Sequence, residues 1–372
     1  MAAPNLFLRT LKAVGVRNLA PLQLEPAPKF NVLAGDNGQG KTSVLEAIYI
    51  VATSRSFRVP STRDARTHGA SLLAVEARIA ESRGGLDPVD RVQSYRVERA
   101  RASLLVNEQR PRSLSAYAVQ SPVVVFHPDE IALSTGPATH RRKLMDRLVL
   151  YTRPSEAAAA GEYARALKAR QELLKRADDG PELDAYEALA ARAGAMLTRA
   201  RRDAVEALRP HLHVAFTRIA DPLLKLGCSY IEAGSSEEAS AREELAVRRA
   251  RDARVGSATF GPHRDDLRFE LDGHAAREVA SQGQHRALTL AIKAAESETI
   301  REATGLEPIH LLDDVSSELD APRTRALFAY FHGCRGQLFL STTRAELVTR
   351  ELPEGAETAL FHIERGVVSR AA

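Results

Sequence analysis

Apolar residues near the start of the chain alternate with polar ones, as at Leu22 and Leu24, then close up into a short, mostly apolar run at 30–33 before a glycine-rich stretch. Alternation marks a strand covered on one face, and a short continuous run marks one covered on both. Helical spacing begins directly after the glycines. Further strands are predicted at 72–79, 92–97 and 103–106, and the apolar run 123–126, closed by Pro128, predicts another buried one.

From 138 to 254 the pattern changes to Ala, Leu, Arg and Glu at helical spacing, as in Leu144, Leu148 and Tyr151, and again in Leu189, Ala193, Met196 and Leu197. Gly161, the turn at 178–181 and Pro210 act as breakers, so this block is expected to hold helices of ordinary length. Strands return after Gly256, where Leu267, Phe269 and Leu271 alternate into an Asp272–Gly273 hairpin turn. A helix over 284–303, an apolar strand at 309–312, a helix near 322–331, a strand at 337–340 and a final pair at 360–368 complete the pattern.

The chain has 372 residues, 52 Lys+Arg against 48 Asp+Glu and 44% hydrophobic residues, the balance of a globular protein of one large or two ordinary domains. No run of about 18 apolar residues exists and the N-terminus lacks signal-peptide character, so a cytoplasmic location without membrane attachment is expected. Cys228 and Cys334 are far apart and form no CxxC, which argues against a disulfide framework or a thiolate zinc site. Eight Lys leave 44 Arg, a bias that permits phosphate-bearing partners without requiring them.

Chemistry concentrates at Gly35-Asp36-Asn37-Gly38-Gln39-Gly40-Lys41-Thr42, which fits GxxxxGK[ST] and lies between a predicted strand and a predicted helix. Glycines let the backbone wrap phosphates with its N–H groups turned inward, Lys41 reaches the β and γ phosphates, and Thr42 ligates Mg2+. A second acid is needed on a neighbouring strand, and the run 309–312 ends in Asp313 and Asp314. Asp313 is assigned to Mg2+ and Asp314 to the attacking water, its basicity raised by the adjacent carboxylate. Ser281, Gln282, Gly283 and Gln284 open the helix at 284–303 and offer a second anion-binding helix start.

The order of these motifs, with Ser317-Glu318-Leu319-Asp320 directly after the paired acids, resembles the ATP-binding-cassette ATPases. In that resemblance 281–284 takes the signature position and Asp320 belongs to the D-loop. It implies an ATP-dependent homodimer in which Ser281 of one head acts in trans on nucleotide held by the other. About 240 residues separate Gly40 from Ser281, an arrangement similar to the chromosome-maintenance and double-strand-break-repair branch with its helical insertion. The stretches 128–146 and 260–266, with 16–19 and 54–58, resemble the RecF family over essentially the whole chain.

The implied fold is α/β: a P-loop ATPase head of mixed sheet plus antiparallel β lobe, built from 1–137 and 255–372, with an α-helical insertion domain at 138–254. The implied function is ATP-dependent DNA binding in recombinational repair and replication restart, with ATP and Mg2+ as cofactors and weak, DNA-stimulated hydrolysis serving as a switch. Gapped or junction DNA, RecR, RecO and RecA are the implied partners. The histidine switch of transporter heads has no match at 339–343, where hydroxyls stand instead. Against this stand a transporter ATPase subunit, opposed by the long insertion and the missing histidine, and a small-molecule kinase, in which 281–284 and 317–320 have no purpose.

Several residues keep two readings. Gln120 or the His127 region fits the Q-loop. Arg141 and Arg142 either touch phosphate or pair with Asp146 on their own helix. His263 and Arg264 lack spaced metal-ligand partners and read as a structural turn or an interface. Arg192, Arg199, Arg201 and Arg202 lie in an acid-free stretch that fits either a DNA-tracking stripe or a solvated face, in a block with 22 basic and 18 acidic residues over 138–254. No Trp is present, which favours recognition of duplex backbone over base stacking.

Overall fold

In the computed structural model, the described residues are 5–82, 87–99, 101–177, 179–220, 223–314, 330–331, 333–350, 352, 355 and 357–371. The chain opens with β1 (Leu6–Val14), β2 (Leu22–Leu24), β3 (Phe30–Ala34), α1 (Lys41–Thr53), β4 (Leu72–Glu81), β5 (Val89–Glu98), β6 (Arg101–Val106), α2 (Leu114–Ala118) and β7 (Val123–Phe126). It folds into two units, one formed by 1–130 with 290–372 and the other by 131–289. The expected insertion, 138–254, lies inside the second.

In the first unit an antiparallel sheet of order β2-β1-β4-β5-β6 buries Leu11, Ala13, Leu73, Val75, Ala77, Tyr95 and Val97 from alternate positions. Its other face carries Lys12, Glu76, Arg78 and Arg96, the division that period-two patterning dictates. β1 is an addition to the strands expected from the sequence.

The second unit contains α3 (Ala132–Thr135), α4 (Ala138–Thr152), α5 (Ala159–Lys175), α6 (Pro181–Ile219), β8 (Leu226–Ile231), α7 (Glu238–Val247), α8 (Arg249–Val255), β9 (Asp266–Leu271), β10 (His274–Ala275), α9 (Ala276–Val279) and the start of α10 (Gln282–Thr304). The remainder of α10 belongs to the first unit, followed by β11 (Ile309–Asp313), β12 (Leu338–Thr342), α11 (Ala345–Thr349), β13 (Thr358–Glu364) and β14 (Val367–Arg370).

The head's second sheet has the order β14-β13-β3-β12-β11-β7. β3 pairs in parallel with both β12 and β13, β11 pairs in parallel with β12 and β7, and β14 is the antiparallel edge. Buried on both faces, β3, β11, β12 and β7 are mostly apolar, β7 without a break, and the buried polar exceptions Asn31, His310 and Ser341 are hydrogen-bonded. α1 touches β4 and β5 of one sheet and β7, β11 and β12 of the other. It is accordingly apolar nearly all round, with Val44, Leu45, Ile48 and Val51 in one core shared by both layers.

The helical block departs from expectation in three places. α6 runs 39 residues through Pro210, which does not end it. Proline removes one intrahelical bond, but Val205, Leu208, Leu212 and Phe216 are buried on both sides of it and keep the helix in register. Gly161 falls in the first turn of α5, where N–H groups lack helical partners anyway, and it breaks nothing. β8 lies inside the stretch expected to be helical and pairs with β9 beyond it. Asp272 and Gly273 do form the hairpin turn, both at positive φ (49° and 83°).

A buried ion network fixes the helices. Arg170, fully buried, donates to Glu187 (2.9 Å), to Asp252 (2.8 Å) and to the Leu245 carbonyl (2.6 Å). Removing one member would strand a buried charge, at a cost of about 3–5 kcal/mol.

Candidate functional site

β3 delivers the chain into the loop 35–40, and α1 starts at Lys41 with Gly40 at φ 118° as its N-cap. Gly35 (156°), Gly38 (78°) and Gly40 all hold positive φ, and a Cβ on Gly35 would lie 2.3 Å from the Ile363 carbonyl. The loop is also fixed from outside. Asn18 donates to the Gly38 carbonyl (3.0 Å) and accepts from Ser43 Oγ (2.9 Å), while the N–H groups of Arg365 and Gly366 donate to Gln39 Oε1 (2.6 Å) and the Gln39 carbonyl (2.9 Å).

Lys41 Nζ curls back and donates to the carbonyls of Gly35 (2.6 Å) and Asp36 (2.8 Å). Burial lowers its pKa, and the carboxylates of Asp314, Asp313 and Asp36 oppose that shift. Neutral carbonyls are weak partners for an ammonium, so an incoming phosphate can take Lys41 from them.

Thr42 Oγ1 donates to Asp313 Oδ1 over 2.8 Å. β11, which ends in Asp313, does not neighbour β3 as the motif pairing suggests. β12 lies between them, and its Ser341 donates to Asp313 Oδ1 (2.8 Å) and accepts from the Asp314 N–H (2.9 Å). Thr42, Asp313 and Ser341 thus present hard oxygens at one point. Such a set fits Mg2+, which takes one or two protein oxygens and completes its shell with water and phosphate. The described residues form no cluster of three or more His, Cys, Asp or Glu that would hold a metal alone.

Asp314 sits just past the strand at φ 48°, an αL position that is strained for a side-chain-bearing residue. His127, at the end of β7, has Nε2 3.5 Å from Asp313 Oδ2, whereas the Gln120 amide donates to the Ala116 carbonyl (3.4 Å). Of the two residues read for the Q-loop, His127 is the one placed beside Asp313.

A cleft of about 520 Å³ opens over these groups, lined by Lys41, Thr42, Asp313, Asp314 and Ser341 together with Arg17, Arg58, Arg66 and His68. Glu46, fully buried on α1, anchors two of these cations. Arg17 clasps it with bonds of 2.8 and 3.0 Å, and Arg58 reaches it at 3.4 Å. The stretches 16–19 and 54–58 carry only a resemblance in the sequence, since neither motif nor spacing signals that their arginines meet at this cleft.

In the second unit, Ser281 Oγ accepts from the Gln284 N–H (3.2 Å) while Gln284 Oε1 accepts from the Ser281 N–H (2.7 Å). This reciprocal capping box satisfies two N–H groups at the start of α10 internally. Ser281 and Gln282 remain exposed. One turn on, buried His285 Nδ1 lies 2.6 Å from Ser134 Oγ. Asp320 and 317–319 lie outside the described residues, as does most of 322–331.

Of the four arginines read as a stripe, Arg201 does not reach the surface. Arg201 is buried and bonded to Asp146 and Asp265 (2.9 Å each), so it reaches no external ligand. Arg202 is clasped by Glu232 (2.6 and 2.8 Å), Arg199 donates to the Ser236 carbonyl, and Arg192 is exposed. Neither Arg141 nor Arg142 pairs with Asp146, and Arg141 is buried. Arg141 grips Asp266 (2.7 and 3.0 Å) and Arg142 donates to the Asp265 carbonyl (2.7 Å), because Asp146 is taken by Arg201.

No helix among the described residues is long and apolar enough to cross a membrane. Residues 7–358 match the RecF/RecN/SMC N terminal domain family. The DNA replication and repair protein RecF of Anaeromyxobacter sp. (strain Fw109-5) is 40% identical over 97% of this chain and 98% of its own length. That of Geobacter sulfurreducens (strain ATCC 51573 / DSM 12127 / PCA) is 34% identical over 98% and 100%. Among solved structures, the recombination mediator protein RecF-ATPrS of the RecFOR pathway superposes with a TM-score of 0.87 at 26% identity, covering 100% of both chains. An Smc head domain from Pyrococcus furiosus shares the fold, with a TM-score of 0.54 at 16% identity over 98% of this chain and 96% of its own. An α/β ATPase head carrying this P-loop, together with near-full-length likeness to those relatives, places the chain in the RecF family.

Proposed function

We propose that the protein is an ATP-dependent DNA-binding switch of recombinational repair and replication restart. The observation that carries this is the hydrogen-bonded Thr42–Asp313–Ser341 set beside Lys41, which suits a Mg2+-bound triphosphate. The names of the relatives, DNA replication and repair proteins, and the ATP-bearing neighbour of the RecFOR pathway support the biological side.

Loop N–H groups and Lys41 bind and orient the phosphates; Thr42 and Asp313 hold Mg2+. When bound, Mg2+ supplies charge neutralisation at the phosphate oxygens. Asp314 orients the attacking water and accepts its proton. Ser341 fixes both acids, and the hydroxyls that the stretch 339–343 offers where transporter heads carry a histidine cannot relay charge as an imidazole does, so turnover is slow. Ser281 of a second copy completes the site, ATP closes the homodimer on duplex near gaps or junctions, and hydrolysis releases it. RecO and RecR act with it, and RecA is loaded as the outcome.

The test is fluorescence anisotropy of a gapped duplex at one fixed salt concentration, with and without a nonhydrolysable ATP analogue. Nucleotide-enhanced binding that Lys41→Arg and Ser281→Arg abolish supports the reading. Absence of DNA binding under every nucleotide condition overturns it.

A further inference from the structure

The turn at 261–266 is fixed from every side. Gly261 sits at φ 127°, packed so closely that a Cβ would fall 2.0 Å from the Tyr163 hydroxyl. His263 uses both ring nitrogens, Nδ1 at 2.7 Å from the Tyr163 hydroxyl and Nε2 at 3.0 Å from the Ala258 carbonyl. Asp265, fully buried, accepts from Arg201 (2.9 Å), from the Tyr230 hydroxyl and from the Ala233 N–H (2.9 Å). Arg201 also donates to the Pro262 carbonyl (2.7 Å), and Asp266 is held by both prongs of Arg141.

Arg264 stands at the centre of this turn and is the exception. It is exposed, and its guanidinium has no hydrogen bond or ion pair among the described residues. The carboxylates that follow it in sequence do not neutralise it, because Arg201 and Arg141 already consume them. By contrast Arg268, also exposed on β9, lies 3.7 Å from Glu270. Burying an ion network this dense costs desolvation energy that a plain surface turn has no need to spend. What it yields here is a backbone that presents one unneutralised guanidinium from a fixed base, so little further ordering is lost when a ligand arrives.

We infer that Arg264 is a phosphate-contacting residue, its planar fork receiving a phosphate oxyanion from outside its own chain. The inference rests on the function proposed above, which supplies two sources of that chemistry: the nucleotide bound by a second copy, and the backbone of the DNA.

Three variants, Arg264→Gln, Arg264→Lys and the control Arg268→Gln, separate the sources. Arg264 is exposed, so folding is retained, and thermal melts followed by circular dichroism verify this. The first measurement is self-association by sedimentation velocity with a nonhydrolysable ATP analogue and no DNA. The second is anisotropy of a duplex across a salt series with the same analogue. A nucleotide contact weakens analogue-driven association of Arg264→Gln at least tenfold, with Arg264→Lys between it and wild type. A DNA contact leaves association intact and lowers the slope of log affinity against log salt by about 0.9, one released counterion. Arg264→Gln behaving as Arg268→Gln does in both measurements overturns the inference while the proposed function stands. Wild-type protein that neither associates with nucleotide nor binds duplex overturns both.

Discussion

Thr42 Oγ1 and Asp313 Oδ1 lie 2.8 Å apart although 271 positions separate them in the chain. One begins the helix after the glycine loop and the other ends a strand two places along the sheet, so parallel β3, β12 and β11 together set their spacing. Substituting either removes an oxygen from the same point. Asp313→Ala should therefore abolish Mg2+-dependent ATP hydrolysis while leaving nucleotide binding without Mg2+ within a few-fold of wild type. Asp314→Asn should instead retain Mg2+-ATP and accumulate as a closed dimer. Equilibrium nucleotide binding and sedimentation with ATP distinguish the two, and identical behaviour of both variants would contradict the separate roles.

Ser281 is exposed and its capping partner Gln284 is local, so Ser281→Arg should cost about 1 kcal/mol of stability, the worth of one N-cap. Its effect on association should be far larger. Loss of ATP-driven dimerisation with nucleotide affinity unchanged is the expected result. A variant that dimerises normally removes the trans assignment.

Gly366 lies at φ 81°, and a Cβ there would fall 2.0 Å from the Asn18 carbonyl. Asn18 holds the Gly38 carbonyl, and the Gly366 N–H holds the Gln39 carbonyl, so the strain passes directly to the phosphate loop. Gly366→Ala should destabilise the fold by about 1–3 kcal/mol and raise the KM for ATP more than it lowers kcat. Chemical denaturation and steady-state kinetics test the two halves separately.

What is legible in the sequence follows from how each feature is encoded. The glycine loop, the acids after the apolar run and the capped helix start at Ser281 are contiguous segments in which type and spacing suffice. The Arg17–Glu46 clasp, the arrival of Arg58 and the bond from Ser341 to Asp313 are tertiary meetings, and local patterning carries no trace of them. Arg201 misleads for a related reason. An acid-free stretch along one helix says nothing about carboxylates that Asp146 and Asp265 bring from elsewhere. Pro210 misleads because a long buried stripe outweighs one lost hydrogen bond, a balance visible only once the packing partners are known.

Arg141 joins distant stretches of the second unit, holding Asp266 with two bonds and the carbonyls of Leu133 and Gly136 with others. Arg141→Met keeps much of the volume and strands Asp266 together with those carbonyls. A loss of about 3 kcal/mol is expected, with Asp266→Asn milder because a neutral amide can still accept. Urea unfolding of both variants checks the order, and an Asp266→Asn variant destabilised as much as Arg141→Met or more would contradict it.

His310, fully buried on β11, lies 2.8 Å through Nε2 from Ser297 Oγ. Burial, with the positive charges of Lys29 and Lys293 adding to it, lowers its pKa from 6.5 to about 3. The unfolded chain takes up this proton as pH falls through 6.5, and the folded chain refuses it until about 3. The folded pKa being the lower one, stability is fully present above 6.5 and declines on acidification through this window, by about 1.4 kcal/mol per pH unit from this group. His310→Gln lacks the titrating ring. It should be less stable than wild type at pH near 7.5, through lost packing, yet lose stability less steeply between pH of about 6 and 4. Urea midpoints collected across that range provide the comparison, and parallel slopes for the two proteins would show that the acid sensitivity arises elsewhere.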